Sequence, residues 1–184
     1  GIKLANVLKV VSFDDKISKI HKNKPDCSIV KSISMLRDHE VDAVISAGNT
    51  GALLSSSLFL LNKINHIKRP ALAPYIPSKH GNLILCDAGA NLNPKPIHML
   101  QYAIMASEYF KLIHNKNRAR IGLINIGTEK NKGPELYKET YTMIENTLDD
   151  FIGFIESRDL LKGKVDIVVC DGFTGNIMLK LIEG

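Results

Sequence analysis

The chain contains no tryptophan and only three cysteines, Cys27, Cys86 and Cys170, none in a CxxC pair. That leaves no disulfide framework and no zinc-ligand spacing, so a reducing compartment, no metal and no cofactor are expected. Also missing are GxxxxGK[ST], a strand-turn-helix GxGxxG, HExxH and GxSxG. Their absence argues against P-loop nucleotidases, dinucleotide folds, zincins and hydrolases with an elbow serine. Long apolar runs are scarce: the run from Ala52 to Leu61 is broken by Ser55, Ser56 and Ser57 and stops at Asn62, too short to cross a bilayer. No leader-like segment opens the chain, which sets a cytoplasmic location as the expectation.

What is present suits a soluble globular protein. The 184 residues, 45% hydrophobic and 23% charged, are read as one α/β domain over 1–184, with residues 1–25 the least readable. The net charge of +5 is mild but uneven. Lys111, Lys116, Arg118, Arg120, Lys130 and Lys132 are opposed in their stretch by Glu129 alone. Such a balance favours an anionic substrate or an acidic protein partner. Nucleic acid is not expected, because no aromatic interleaving or helix-turn-helix pattern accompanies the charge.

Apolar runs alternate with helical periodicity along the chain. Strands are expected at Val7–Phe13, Val41–Ser46, Leu83–Cys86, Arg120–Ile126, Phe151–Glu156 and Val165–Cys170. Helices are expected at Asp14–Asn23, from Ser28 to His39, from Ala52, at Ile97–Ile113, at Pro134–Leu148 and from near Gly175. Prolines in ALAPYIP (71–77) point to an edge strand, and a departure from parallel order is expected there or at Phe151–Ile155. The implied architecture is a three-layer αβα sandwich with a largely parallel, mixed sheet. Ile97–Ile113 is apolar around most of its circumference, which points to a subunit contact.

Four strand ends look alike: VISAGNTG (44–51), LILCDAGAN (83–91), LINIGTEKNKG (123–133) and IVVCDGFTGN (167–176). Each runs from apolar residues into a Gly-rich loop with Asn, Asp or Thr. Loops at the carboxyl ends of parallel strands gather where ligands bind. At 46–51 a strand feeding a helix N-terminus would make an anion site, since free N–H groups and the helix dipole point to one place. Cys86 and Cys170 end apolar strands and read as packing.

SAGNTGAL (46–53), RPALAP (69–74), CDAGAN with KP-x-H through His98, NIGTE-x-x-KG (125–133) and DGFTGN (171–176) closely resemble the PlsX family of bacterial fatty acid and phospholipid synthesis proteins. The resemblance covers Asp26 to Gly184. It departs from the family in lacking an opening DAMGGD-type loop, in ending several dozen residues early, and in carrying Pro134 where Asn is usual, so the chain reads as incomplete at both ends.

The resemblance implies a phosphotransacetylase or isocitrate-dehydrogenase-like fold. It also implies transfer of a fatty acyl group from acyl carrier protein to inorganic phosphate, giving acyl phosphate for glycerol 3-phosphate acylation. A homodimer follows from it as well, along with peripheral association at the inner membrane face. The competing readings are a short-chain phosphotransacylase using acyl-CoA and a non-catalytic basic binding module.

Under the resemblance, phosphate falls to Gly48, Asn49, Thr50 and Gly51. Lys132 neutralises phosphate and oxyanion charge, a common role for a lysine point charge. Asn176 donates to the thioester oxygen, and Asp87, Asn91, Glu129 and Asp171 orient these groups. No covalent nucleophile is needed, because a thiolate leaving group requires little help.

Overall fold

The computed structural model describes residues 2–12, 14–78 and 81–184. By its internal contacts the chain divides into two compact units, 1–66 and 67–184.

The first unit is helical. A 3-10 turn at Ile17–Lys19 leads into α1 (Ile20–Asn23), followed by α2 (Ser28–Arg37) and α3 (Thr50–Leu60). Ile29, Val30 and Ile33 recur at helical spacing and give α2 its buried face. Ile29 and Val30 close a small core with Ile20, Cys27 and Ala52. Val41–Ser46, expected as a strand, forms none. A strand is held by a ladder, and among the described residues this unit contains only an isolated bridge, Lys9 with Cys27. Ile45 is fully exposed as a result. That same bridge is all that forms of the strand expected at Val7–Phe13, whose last residue lies outside the described residues.

The second unit contains a five-stranded sheet: β1 (Tyr75–Ser78), β2 (Gly81–Cys86), β3 (Ile121–Ile124), β4 (Phe151–Ile155) and β5 (Ile167–Val169). Its order is β1-β2-β5-β3-β4, with β1 antiparallel at one edge and the other four parallel. This is the mixed, largely parallel α/β fold read from the sequence, with the reversed strand in the proline-bearing segment. Strands buried on both faces need apolar residues at successive positions, which explains ILC, IGLI and IVV in the central strands. Central pairs are in register, Ile84 with Ile167 and Leu123 with Val169.

Helices α4 (Pro96–His114) and α5 (Glu135–Glu145) follow β2 and β3, and α6 (Gly172–Glu183) follows β5. Pro96 occupies the first turn of α4, where a missing N–H costs nothing, and Asn115 ends the helix in the left-handed region at φ 49°. Much of α4's apolar circumference is used inside the unit: Met99, Tyr102, Ala103, Ala106 and Phe110 are all buried. Tyr109, Leu112 and Ile113 stay exposed near its end. Among the described residues no helix is long and apolar enough to cross a membrane.

Candidate functional site

Because β2, β5, β3 and β4 are parallel, their carboxyl ends lie on one edge of the sheet, and the loops after them share it. The loops after β2 and β5 are neighbours because β5 lies next to β2. Their ladder continues past the strands: Asp87 N–H donates to Cys170 O at 3.1 Å, and Cys170 N–H to Cys86 O at 2.8 Å.

Asp87 is fully buried and saturated. Its Oδ1 accepts the Leu72 N–H at 2.9 Å and the Ala90 N–H at 3.0 Å, and its Oδ2 accepts the Asn91 N–H at 2.7 Å and Asn91 Nδ2 at 3.0 Å. Asn91 Nδ2 also donates to Pro70 O at 2.7 Å, while Asn91 O accepts the Gly172 N–H at 2.9 Å. The two residues tie the loop after β2 both to the segment before β1 and to the start of α6.

Residues 172–176 of DGFTGN lie within α6 rather than ahead of it. Asp171 caps α6: Oδ1 accepts the Thr174 N–H at 2.9 Å and Oδ2 accepts Thr174 Oγ1 at 2.7 Å. The helix therefore begins at Gly172, not near Gly175, with Asp171 as its cap. Tyr137 of α5 donates to Asp171 Oδ2 at 2.5 Å. Burial, and then that bond, push the Tyr137 phenol up, so it stays a donor. A side chain at Gly175 would overlap the Asp87 carbonyl, so only glycine lets α6 approach this closely.

Asn176 sits partly exposed on α6 with its carboxamide against Gly89. Gly89 has φ 129°, and a Cβ there would lie 3.4 Å from Asn176 Oδ1. Among the described residues no hydrogen bond to the Asn176 carboxamide is found, in contrast to Asp87, Asn91 and Asp171.

Lys132 stands in the loop after β3, half-exposed, with Nζ 2.8 Å from Glu129 Oε1. The pair holds the lysine above and the glutamate below its ordinary value, mainly through the shared hydrogen bond. Asn125 Nδ2 donates to Lys132 O at 2.9 Å and closes the loop. Neighbouring Lys130 turns instead to Glu145 at 2.6 Å. Asn125, Tyr137 and Thr174 escaped the sequence reading. Thr174, three residues after Asp171, carries the spacing of a cap and was the one with a local signal.

In the first unit, Asn49 Oδ1 accepts the Ala52 N–H at 2.9 Å and caps α3, and Ser46 Oγ accepts the Gly48 N–H at 3.1 Å. Thr50 and Gly51, in the first turn, have no intrahelical acceptor for their N–H groups. The turn opens on a cavity of about 420 Å³ lined in part by Val11, Ile29, Ser46, Gly48 and Asn49.

Covalent cysteine chemistry does not fit these sites. Cys86 and Cys170 are buried, and burial first of all pushes both thiols up, keeping them protonated. No cluster among the described residues could hold a metal ion. The arrangement instead offers neutral and cationic donors to an oxyanion or phosphate.

A family model described as fatty acid synthesis protein matches residues 2–184. Phosphate acyltransferases of Bacillus cereus (strain AH820) and Bacillus thuringiensis subsp. konkukian are each 44% identical over 177 residues, 96% of this chain and 53% of theirs. The chain thus spans about half the length of the curated relatives it matches. Among solved structures, the EutD phosphotransacetylase from Staphylococcus aureus superposes with a TM-score of 0.60 at 12% identity, covering 83% of this chain and 54% of that one. That likeness is one of fold.

Proposed function

The chain belongs to the fatty acid synthesis protein family, and from that premise we propose that the protein transfers a fatty acyl group from a carrier-protein thioester to inorganic phosphate, releasing acyl phosphate and the carrier thiol. The observation that carries this reading is the Asn176 carboxamide, without a hydrogen-bond partner among the described residues, on an edge where the carboxyls of Asp87 and Asp171 are saturated. Its relatives' name, phosphate acyltransferase, supports the reaction class.

In this reading Asn176 donates to the thioester oxygen as negative charge develops there, and Lys132 exchanges its exposed partner Glu129 for the anion. That exchange costs little, because solvent screens an exposed ion pair and leaves it weak. Phosphate recognition is assigned to the turn at Gly48, Asn49, Thr50 and Gly51, where free N–H groups meet the positive end of α3. Asp87, Asn91 and Asp171 hold the loops, and Glu129 positions Lys132. No residue is acylated: phosphate oxygen bonds to the acyl carbon as the carbon–sulfur bond breaks.

The partners proposed are an acidic acyl carrier protein, drawn by the basic excess, and a second copy of the chain. Peripheral contact with the membrane face where acyl phosphate is consumed belongs to the same proposal. The test is to incubate the full-length protein with phosphate and either long-chain acyl carrier protein or short-chain acyl-CoA, and to follow acyl phosphate and free thiol. Turnover from the carrier thioester is expected. Preference for short-chain CoA would transfer the assignment to a phosphotransacylase, and thiol release from neither would end it.

A further inference from the structure

The segment ahead of β1 is pinned at two points: the Lys68 N–H donates to Gln101 Oε1 of α4 at 2.9 Å, and Pro70 O accepts Asn91 Nδ2 at 2.7 Å. Arg69 stands between these anchors, and Lys95 directly precedes α4. Arg120, Lys130, Lys132 and Lys138 of the same unit each meet a carboxylate. Lys68, Arg69 and Lys95 are exposed, and none of them is in an ion pair among the described residues.

His98, in the first turn of α4, is only 6% exposed. Its Nδ1 accepts the Lys95 N–H at 3.1 Å, and its Nε2 has no hydrogen-bond partner among the described residues. Burial, and then the charges of Arg69, Lys68 and Lys95, hold the imidazole below its ordinary value, so it is mainly uncharged at neutral pH. With Nδ1 as the acceptor, the proton sits on Nε2, which can only donate. Pro96 has no N–H, and the His98 and Met99 N–H groups both reach Lys95 O, which leaves the Ile97 N–H open at the head of the helix.

We infer that the head of α4, with Lys68, Arg69, Lys95 and the Nε2–H of His98, binds a phosphate group. Three unpaired cations at the positive end of a 19-residue helix repel one another, and an anion placed among them removes that repulsion. A donor nitrogen on a nearly buried ring gains a partner at the same time. A carboxylate offers two oxygens, whereas a phosphate offers more and accepts from a guanidinium fork, an ammonium and an imidazole N–H together. Unlike the turn at 48–51, the site lies wholly within the second unit. It adjoins the edge where the loop after β2 emerges, because Asn91 of that loop holds Pro70. The site stands on this geometry, and the source of its phosphate rests on the acyl-transfer reading above. That reaction brings two phosphate groups: the inorganic phosphate that is acylated, and the phosphodiester joining a carrier protein to its thiol arm.

The test is equilibrium binding of inorganic phosphate, phosphopantetheine and pantetheine to the full-length protein, comparing wild type with Arg69→Ala, Lys95→Ala and His98→Asn. Pantetheine lacks the phosphate and serves as the control. Asparagine keeps an acceptor for the Lys95 N–H and removes the Nε2 donor. Thermal unfolding is followed in parallel, and if His98→Asn does not fold, the two exposed positions decide. Each variant should weaken a phosphate-bearing probe about tenfold, the effect of losing one charge-assisted hydrogen bond, and leave pantetheine unchanged. A loss confined to inorganic phosphate assigns the site to the acyl acceptor, and a loss confined to phosphopantetheine assigns it to the donor's arm. Wild-type affinity for both phosphate probes in folded Arg69→Ala and Lys95→Ala would overturn the site, as would wild-type protein that binds neither. Binding needs no turnover, so thiol release from no donor would defeat the acyl-transfer reading and leave the site standing. Unchanged binding in protein that does transfer acyl groups would defeat the site alone.

Discussion

At the end of the second unit's sheet where the parallel strands begin, charges close on one another. Arg120 donates to Asp166 through Nε at 3.0 Å and Nη2 at 2.9 Å, and through Nη1 to Gly163 O at 2.9 Å. Arg118 and Lys111 both approach Asp150, at 3.6 and 3.9 Å. At the end where these strands finish, the acidic groups Asp87 and Asp171 are spent on backbone, amide and hydroxyl donors, and the Asn176 carboxamide has no hydrogen-bond partner among the described residues. Polar residues alone do not mark a site. The first end resembles a brace, with cations matched to carboxylates. The second resembles a mount, in which buried carboxyls fix the loop after β2 and the head of α6 beside a partly exposed amide.

The largest effect should come from Asn176 and Lys132. In the full-length protein Lys132→Ala and Asn176→Ala should each lower the turnover rate with saturating donor by roughly 100- to 1000-fold, the loss typical of a removed oxyanion donor, about 2.7 to 4 kcal/mol. Thermal unfolding should stay near wild type, since neither side chain has a buried partner. Normal turnover in both variants would move the chemistry elsewhere. Lys132→Arg should also be impaired, because a planar fork does not replace a compact ammonium.

The mount should answer in stability before activity. Asp87→Ala strands buried N–H groups of Leu72, Ala90 and Asn91, and a loss on the order of 3 kcal/mol is expected in chemical denaturation. Asp171→Ala removes the cap of α6 and the partner of Tyr137, for about 1 to 2 kcal/mol. If either variant instead unfolded like wild type while losing turnover, these carboxyls would belong to the chemistry and the contrast between the two ends would weaken.

The brace should give the smallest change. Arg120 is half-exposed, so Arg120→Ala should cost about 1 kcal/mol or less and leave turnover unaltered. Its contribution carries a pH signature. Burial alone would raise Asp166, but its bonds to Arg120 overcome this and hold the carboxyl below its ordinary value. A depressed carboxyl stabilises the fold fully above its unfolded pKa, about 3.9, and loses that contribution as pH falls through the lower folded value. The stability gap between wild type and Arg120→Ala should therefore close in acid below about pH 4. A gap that stayed constant there would remove Asp166 as the cause.

The sequence by itself determined the central strands of the second unit and the order in which helices follow them. Runs such as LILC and IVVC are apolar at every position because central parallel strands are covered on both sides, and that demand is legible locally. The prolines of 71–77 announced the reversed edge, and the three cysteines without a pair argued against metal and disulfide. Tertiary structure alone decided which loops meet. Inserting β5 between β2 and β3 joins residues 87–91 to 171–176 across more than eighty positions of chain, which no periodicity encodes. It also showed that Asn176 rides on a helix capped by Asp171 and that Val41–Ser46 is not a strand. Helical caps and apolar periods are properties of a few consecutive residues, whereas a strand exists only when a distant segment offers it a ladder.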